Sequence, residues 1–235
     1  MIEKKIGRRE AIGMLGVAGA AGAIVAFGCA SDTPTSPTTT TTTIGSGTSS
    51  SSSCIVTPTE TVGPYPSLVD LIRSDIREGK SGTPVTLTIT VVNVNNGCGA
   101  VVNASVEIWQ CDAGGNYSQY GTQTAQAYLR GIQTTNGNGE VTFTTIYPGW
   151  YQGRATHIHA EVVLNGVPVK VTQIGFPESV NAAVYAAGVY KARGANPTSN
   201  AADNVFADSI ASELATVTGD PATGYTAAFR IGIAV

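Results

Sequence analysis

Histidine is scarce in this chain of 235 residues, which holds only His157 and His159. Any catalytic triad, imidazole-bound metal or histidine acid–base chemistry must therefore use these two positions. Charge is also sparse: Asp, Glu, Lys and Arg make up 12% of the residues, about half the share usual in a soluble protein. Lys and Arg total 13 against 16 Asp and Glu, a net charge of -3. With no basic surplus to neutralise phosphates, the composition argues against a nucleic-acid partner. What is present is a 42% hydrophobic chain, long enough to bury a real core as one large domain or two small ones.

Residues 1–29 read as an export signal. Lys4, Lys5, Arg8 and Arg9 precede an uncharged apolar stretch from Ala11 to Gly28, followed by Cys29. The adjacent Arg8 and Arg9 resemble a twin-arginine signal, with an ordinary secretory signal as the alternative. Gly28-Cys29-Ala30 resembles a lipoprotein processing site, at which a lipidated Cys29 would attach the protein to a membrane. An uncleaved anchor is the third reading, because the apolar stretch approaches spanning length. All three place the domain outside the cytoplasm, in the cell envelope or beyond. Residues 30–53 are almost entirely Thr, Ser, Gly and Pro and cannot bury enough surface to offset ordering entropy, so they read as a disordered linker. The folded domain is expected at 54–235, with homo-oligomerisation left open.

Within that domain, period-two alternation dominates. Val85–Val92, Ala104–Trp109, Val141–Ile146, His157–Leu164, Pro168–Ile174 and Tyr225–Val235 read as strands separated by turns such as Asn136-Gly137-Asn138-Gly139. The pattern predicts an all-β fold, an antiparallel β-sandwich, with Ala-rich stretches at Val180–Ala192 and Asn204–Leu214 as short peripheral helices.

On a strand, His157 and His159 share one face while Ile158 faces the other. That placement suits a metal site; the competing reading is two polar residues on a solvated face. The neighbours add chemistry. Tyr151 follows the turn Pro148-Gly149-Trp150, Arg154 lies three residues before His157, and Tyr117 ends the glycine turn Asp112-Ala113-Gly114-Gly115-Asn116.

These segments resemble the intradiol ring-cleavage dioxygenases, especially exported single-chain members. TIYPGWYQGRATHIHAEV is similar to the family's signature region, VEIWQCDAGGNYS to the segment bearing its first ligand, and YLRGIQTTNGNGEVTF to the stretch between them. CIVTPTETVGPYP and RSDIREGKSG are similar to the family's N-terminal portion, so the likeness spans residues 54–235.

The resemblance implies a mononuclear non-haem Fe(III) bound by Tyr117, Tyr151, His157 and His159. A trivalent cation favours ionised phenols, and phenolate oxygens favour the ferric state, so the donor set is chemically coherent. Tyr120, Tyr128 and Tyr147 read as packing or surface residues. The implied partners are a small aromatic diol and O2, the diol cleaved between its hydroxyl-bearing carbons to a muconate-type diacid. The resemblance assigns Tyr151 to accept a substrate proton, Arg154 to stabilise charge developing on the ring, and Gln173 to a polar contact beside the substrate. Tyr65, in Gly63-Pro64-Tyr65, would line the pocket mouth.

The segment from Tyr117 to Leu129 is shorter than in relatives acting on carboxylated or bulky catechols, which leaves selectivity open. Once Cys29 is set aside, Cys54, Cys98 and Cys111 allow one disulfide. Cys98 with Cys111 is favoured, since they end one turn-strand unit, and Cys54 with Cys98 is the competitor. The alternative function is a non-catalytic binding module on the same fold, or a zinc or copper site using the histidines with Cys111 or Glu161.

Overall fold

The structure is a computed structural model and describes residues 54–235. The export signal and the linker lie outside the described residues. Among the described residues, nine strands and one α-helix follow in order: β1 Pro84–Asn93, β2 Gly99–Ala100, β3 Ser105–Trp109, β4 Arg130–Thr134, β5 Glu140–Ile146, β6 His157–Leu164, β7 Val167–Gly175, α1 Glu178–Tyr185, β8 Thr216–Asp220 and β9 Gly224–Ile233. One sheet runs β2-β1-β9-β8 with β5 also paired to β1, and the other runs β4-β3-β6-β7.

The alternating strands explain the sandwich. Leu87 and Ile89 of β1, Phe143 of β5 and Ala227 and Ile231 of β9 are fully buried, as are Val106 and Ile108 of β3 and Ile158, Ala160 and Val162 of β6. All belong to one apolar cluster. The next residue along each strand turns away from that core, and on β6 this sends His157 and His159 to the opposite face. That face is covered too: His157 and His159 are buried, so the solvated-face reading does not hold.

The fold is the expected β-sandwich, with one departure from antiparallel order. β1 and β9 pair in parallel, Val92 opposite Gly232 and Asn93 opposite Ile233. This pairing decides the disulfide. The Thr57 amide donates to the Gly232 carbonyl, laying the segment after Cys54 along the end of β9, while the Cys98 amide donates to Asn93 at the end of β1. Cys54 therefore bonds Cys98, with Cα atoms 5.7 Å apart, and the expected pairing with Cys111 is overturned. Cys111 is a buried free thiol beside Trp109 and Tyr117.

The Ala-rich stretches are less helical than expected. α1 stops at Tyr185, and Gly188, with φ +51°, opens a short 3-10 turn ending at Tyr190. Asn204–Leu214 forms turns and one 3-10 segment, Ile210–Ser212. Here a local turn and tertiary contacts together override propensity: Asp203 accepts from the Val205 amide two residues on and from Arg154 across the fold, and Phe206 packs near the His157 ring. Among the described residues no helix is long and apolar enough to cross a membrane.

Candidate metal and substrate site

The site is built where β3 ends and β6 begins. Trp109 and His159 are register partners on these strands, and their rings stack at 4.8 Å, nearly parallel. Gly63 approaches the same imidazole from the N-terminal segment. A Cβ there would stand 2.9 Å from His159 Cε1, and its φ of +70° also favours glycine. His157 Nδ1 lies 2.7 Å from the Ala155 carbonyl, which can only accept, so Nδ1 carries the proton and Nε2 keeps its lone pair. His157 Nε2 and His159 Nε2 then meet at 3.1 Å, with Tyr151 Oη 3.3 Å from His157 Nε2.

The two tyrosine turns are locked together through the backbone. Asp112 Oδ1 accepts from the Gly114 and Asn116 amides, shaping the turn that ends at Tyr117. The Gly149 amide donates to the Asp112 carbonyl at 3.2 Å, so close that a Cβ at Gly149 would fall 2.3 Å from that oxygen. Tyr117 and Tyr151 consequently meet edge to face at 5.7 Å.

Burial sets the protonation states. It holds His157 down at about 3, helped by the nearby Arg154 cation, and His159 well below the ordinary imidazole range, so both rings are neutral ligand forms. Burial, with Cys111 and Tyr151 close by, pushes the Tyr117 phenol well up, and burial also raises Tyr151 against the opposing effect of Arg154. Without an added positive charge, Tyr117 stays a phenol.

Unpartnered polar atoms concentrate here. Five buried side-chain polar atoms lack a hydrogen-bond partner among the described residues, and four belong to Trp109, Tyr117, Gln119 and His159. Trp109 Nε1 and Gln119 Nε2 are N–H donors, which no cation satisfies, and His159 meets His157 through Nε2 rather than through its unpartnered Nδ1, so the Tyr117 hydroxyl is the one of the four whose lone pairs are free to meet a cation there. Two phenols and two neutral imidazoles fit a high-charge cation that tolerates oxygen donors. Among the described residues no group of three or more His, Cys, Asp or Glu could hold a metal, so the zinc or copper reading through Cys111 or Glu161 is not favoured.

Beside this set lies a cavity of about 160 Å³, lined by Tyr65, Asn116, Tyr117, Tyr120, Thr122 and Tyr151 among others. Tyr65 stacks on Tyr117 at 4.7 Å. Arg154 directs Nε to Asp203 and an NH2 group to Gln173 Oε1, and Gln173 Nε2 donates to the Thr61 carbonyl at 2.9 Å. Of the expected site residues, Tyr65, Tyr117 and Tyr151 line the cavity, His157 and His159 adjoin Tyr151 and Tyr117, and Arg154 and Gln173 bond each other outside the cavity lining. The structure adds Asp203, fully buried and 49 positions from Arg154, and Arg130, also fully buried. Neither stands in a local pattern that could have marked it.

Among proteins of known structure, an intradiol ring-cleavage dioxygenase from Tetranychus urticae superposes with a TM-score of 0.69 at 30% identity, covering 77% of this chain and 95% of that one. The chain belongs to the intradiol ring-cleavage dioxygenase family. The family model described as "Dioxygenase" matches residues 64–180, which contain both tyrosines, both histidines, Arg154 and Gln173. The dioxygenase domain of a carbohydrate-binding fusion from Streptomyces sp. SirexAA-E is 28% identical, with a TM-score of 0.60 over 77% of this chain and 99% of that one. A 3-chlorocatechol 1,2-dioxygenase from Rhodococcus opacus 1CP shares the fold at 18% identity, with a TM-score of 0.57 over 76% and 72%. Against curated protein sequences no match is found. Intradiol dioxygenases are ring-cleaving oxygenases that use non-haem iron.

Proposed function

We propose that this chain is an exported Fe(III) intradiol dioxygenase that cleaves catechol-type diols with O2 between the hydroxyl-bearing carbons, giving muconate-type diacids. The observation that carries the reading is the convergence of the Tyr151 hydroxyl and the two imidazole Nε2 atoms at 3.3 and 3.1 Å, beside the Tyr117 ring, whose buried hydroxyl has no hydrogen-bond partner. Tyr117, Tyr151, His157 and His159 would hold the iron. When bound, ferric iron supplies Lewis acidity that polarises the diol and opens its ring to O2.

The remaining roles fall to the chain's own groups. Tyr151 borders the cavity and is only partly buried, so its oxygen is placed to take a proton from an incoming diol hydroxyl. Tyr117, at 4% exposure, lies deeper and stays a fixed ligand. Arg154 offers charge toward the ring, with Gln173 setting the orientation of its NH2 group. The Tyr65 ring forms an apolar wall against which an aromatic substrate can pack. Export is supported by the N-terminal sequence and by the Cys54–Cys98 disulfide, a bond that persists in oxidising compartments.

The test is optical and respirometric. Iron-replete protein should be burgundy to reddish-brown from tyrosinate bound to ferric iron, catechol should shift that band, and oxygen should be consumed. Colourless iron-replete protein that takes up no oxygen with catechol overturns the reading.

A further inference from the structure

Arg130 opens β4 and is completely buried, an expensive place for a cation. Its guanidinium is used on two sides. Nε donates to Ser118 Oγ at 2.9 Å and NH2 to the Ser118 carbonyl at 2.7 Å, gripping the residue that follows Tyr117. NH1 donates to the Tyr65 carbonyl at 2.9 Å, gripping the N-terminal segment. The same cation lies 5.8 Å from the Tyr117 ring centre and 5.5 Å from that of Tyr120, within cation–π range.

Two further bonds join the same pair of segments. Tyr120 Oη donates to the Pro66 carbonyl at 2.7 Å, and the Leu68 amide donates to Gln119 Oε1 at 2.7 Å. The joint is held against backbone preference: Gln119 within it and Leu129 beside Arg130 sit at φ 70° and 56°, a region that non-glycine residues rarely adopt. Such conformations persist where surrounding contacts over-determine them, and Arg130 bonds into both segments that the Tyr120 and Leu68 bonds also join.

Building on the proposed function, we infer that Arg130 is a positioning residue for the ring-cleaving reaction, clamping the Tyr65–Leu68 segment to the Tyr117–Tyr120 loop and so fixing the Tyr117 oxygen and the aromatic wall. A planar fork that reaches both segments at once is specific to arginine, whereas lysine offers a single point of charge.

The experiment compares Arg130→Lys and Arg130→Met with wild type, all iron-loaded. Wild type must first show the tyrosinate–iron band and oxygen uptake; failure there sinks the proposed function and leaves the clamp without a reaction to serve. Given an active wild type, both variants should shift or weaken the band and lose about a hundredfold in kcat/KM, the scale of an ångström-level misplacement. Lysine should not rescue. Ser118→Ala, which deletes one acceptor and leaves Arg130 in place, should move both readouts the same way by a smaller factor, and decides the matter if the Arg130 variants do not fold. An unshifted band with kcat/KM within about twofold of wild type, in any folded member of the set, overturns the inference.

Discussion

Asp203 receives the Nε of Arg154 on both carboxylate oxygens, at 3.1 and 2.9 Å, and also accepts the Val205 amide at 2.8 Å. The carboxylate thereby occupies the Nε hydrogen and leaves the NH2 group to Gln173. Asp203→Asn keeps the shape and removes the charge-assisted pair, so Arg154 should lose its fixed direction. We expect kcat to fall about ten- to a hundredfold with iron content unchanged. Oxygen-uptake kinetics beside metal analysis check this; unchanged kcat would show that the pair serves folding alone.

Tyr117→Phe separates stability from function. Its hydroxyl is buried without a hydrogen-bond partner, so deleting it should leave the melting temperature of the iron-free protein equal or slightly higher. The same change removes a proposed ligand, and iron affinity and visible absorption should drop sharply. Thermal unfolding of the metal-free pair and an iron titration give the two halves of the answer. A destabilised variant with full iron binding would contradict both.

Glu213 gives stability a pH dependence of known sign. Burial raises its carboxyl from 4.5 to about 7, against the lowering effect of the Ser209 hydroxyl. A raised carboxyl pKa means that the folded state holds its proton while the unfolded state loses it. This contribution is therefore fully present below about pH 4.5 and is lost as pH rises to about 7. Glu213→Gln should flatten that part of the profile and make the protein relatively more stable at pH 8. Denaturant melts between pH 4 and pH 8 test it, and an unchanged slope would rule the group out.

Cys54→Ser should cost about 2–4 kcal/mol, the range expected for a crosslink closing a loop of moderate length; here the cysteines are 44 residues apart. Cys111→Ser has no such bond to lose. Denaturant melts of both variants under oxidising conditions would reverse this assignment if Cys111→Ser alone showed a crosslink-sized loss.

Local periodicity makes part of this molecule readable. The two histidines on one face of β6, with Ile158 on the other, follow from period two alone. β4 is hidden because Arg130-Gly131-Ile132-Gln133-Thr134 has only Ile132 and Thr134 as strand formers and a glycine between, and its pairing with β3 supplies the rest. The disulfide escapes a reading by spacing because the parallel β1–β9 pairing, which brings Cys54 to Cys98, leaves no local trace. Asp203 and Arg130 act across 49 and 65 positions, on Arg154 and Tyr65, beyond the reach of any local pattern.

The segment that begins at Cys54 both carries the crosslink and lays Gly63 against His159. The wall around the histidines and the crosslink therefore depend on one short stretch of chain, ten residues from Cys54 to Gly63. In hydrogen exchange, reduction of a bond at the far ends of β1 and β9 should register as faster opening of the amides from Thr57 to Gly63, including the one that donates from Gly63 to Thr61.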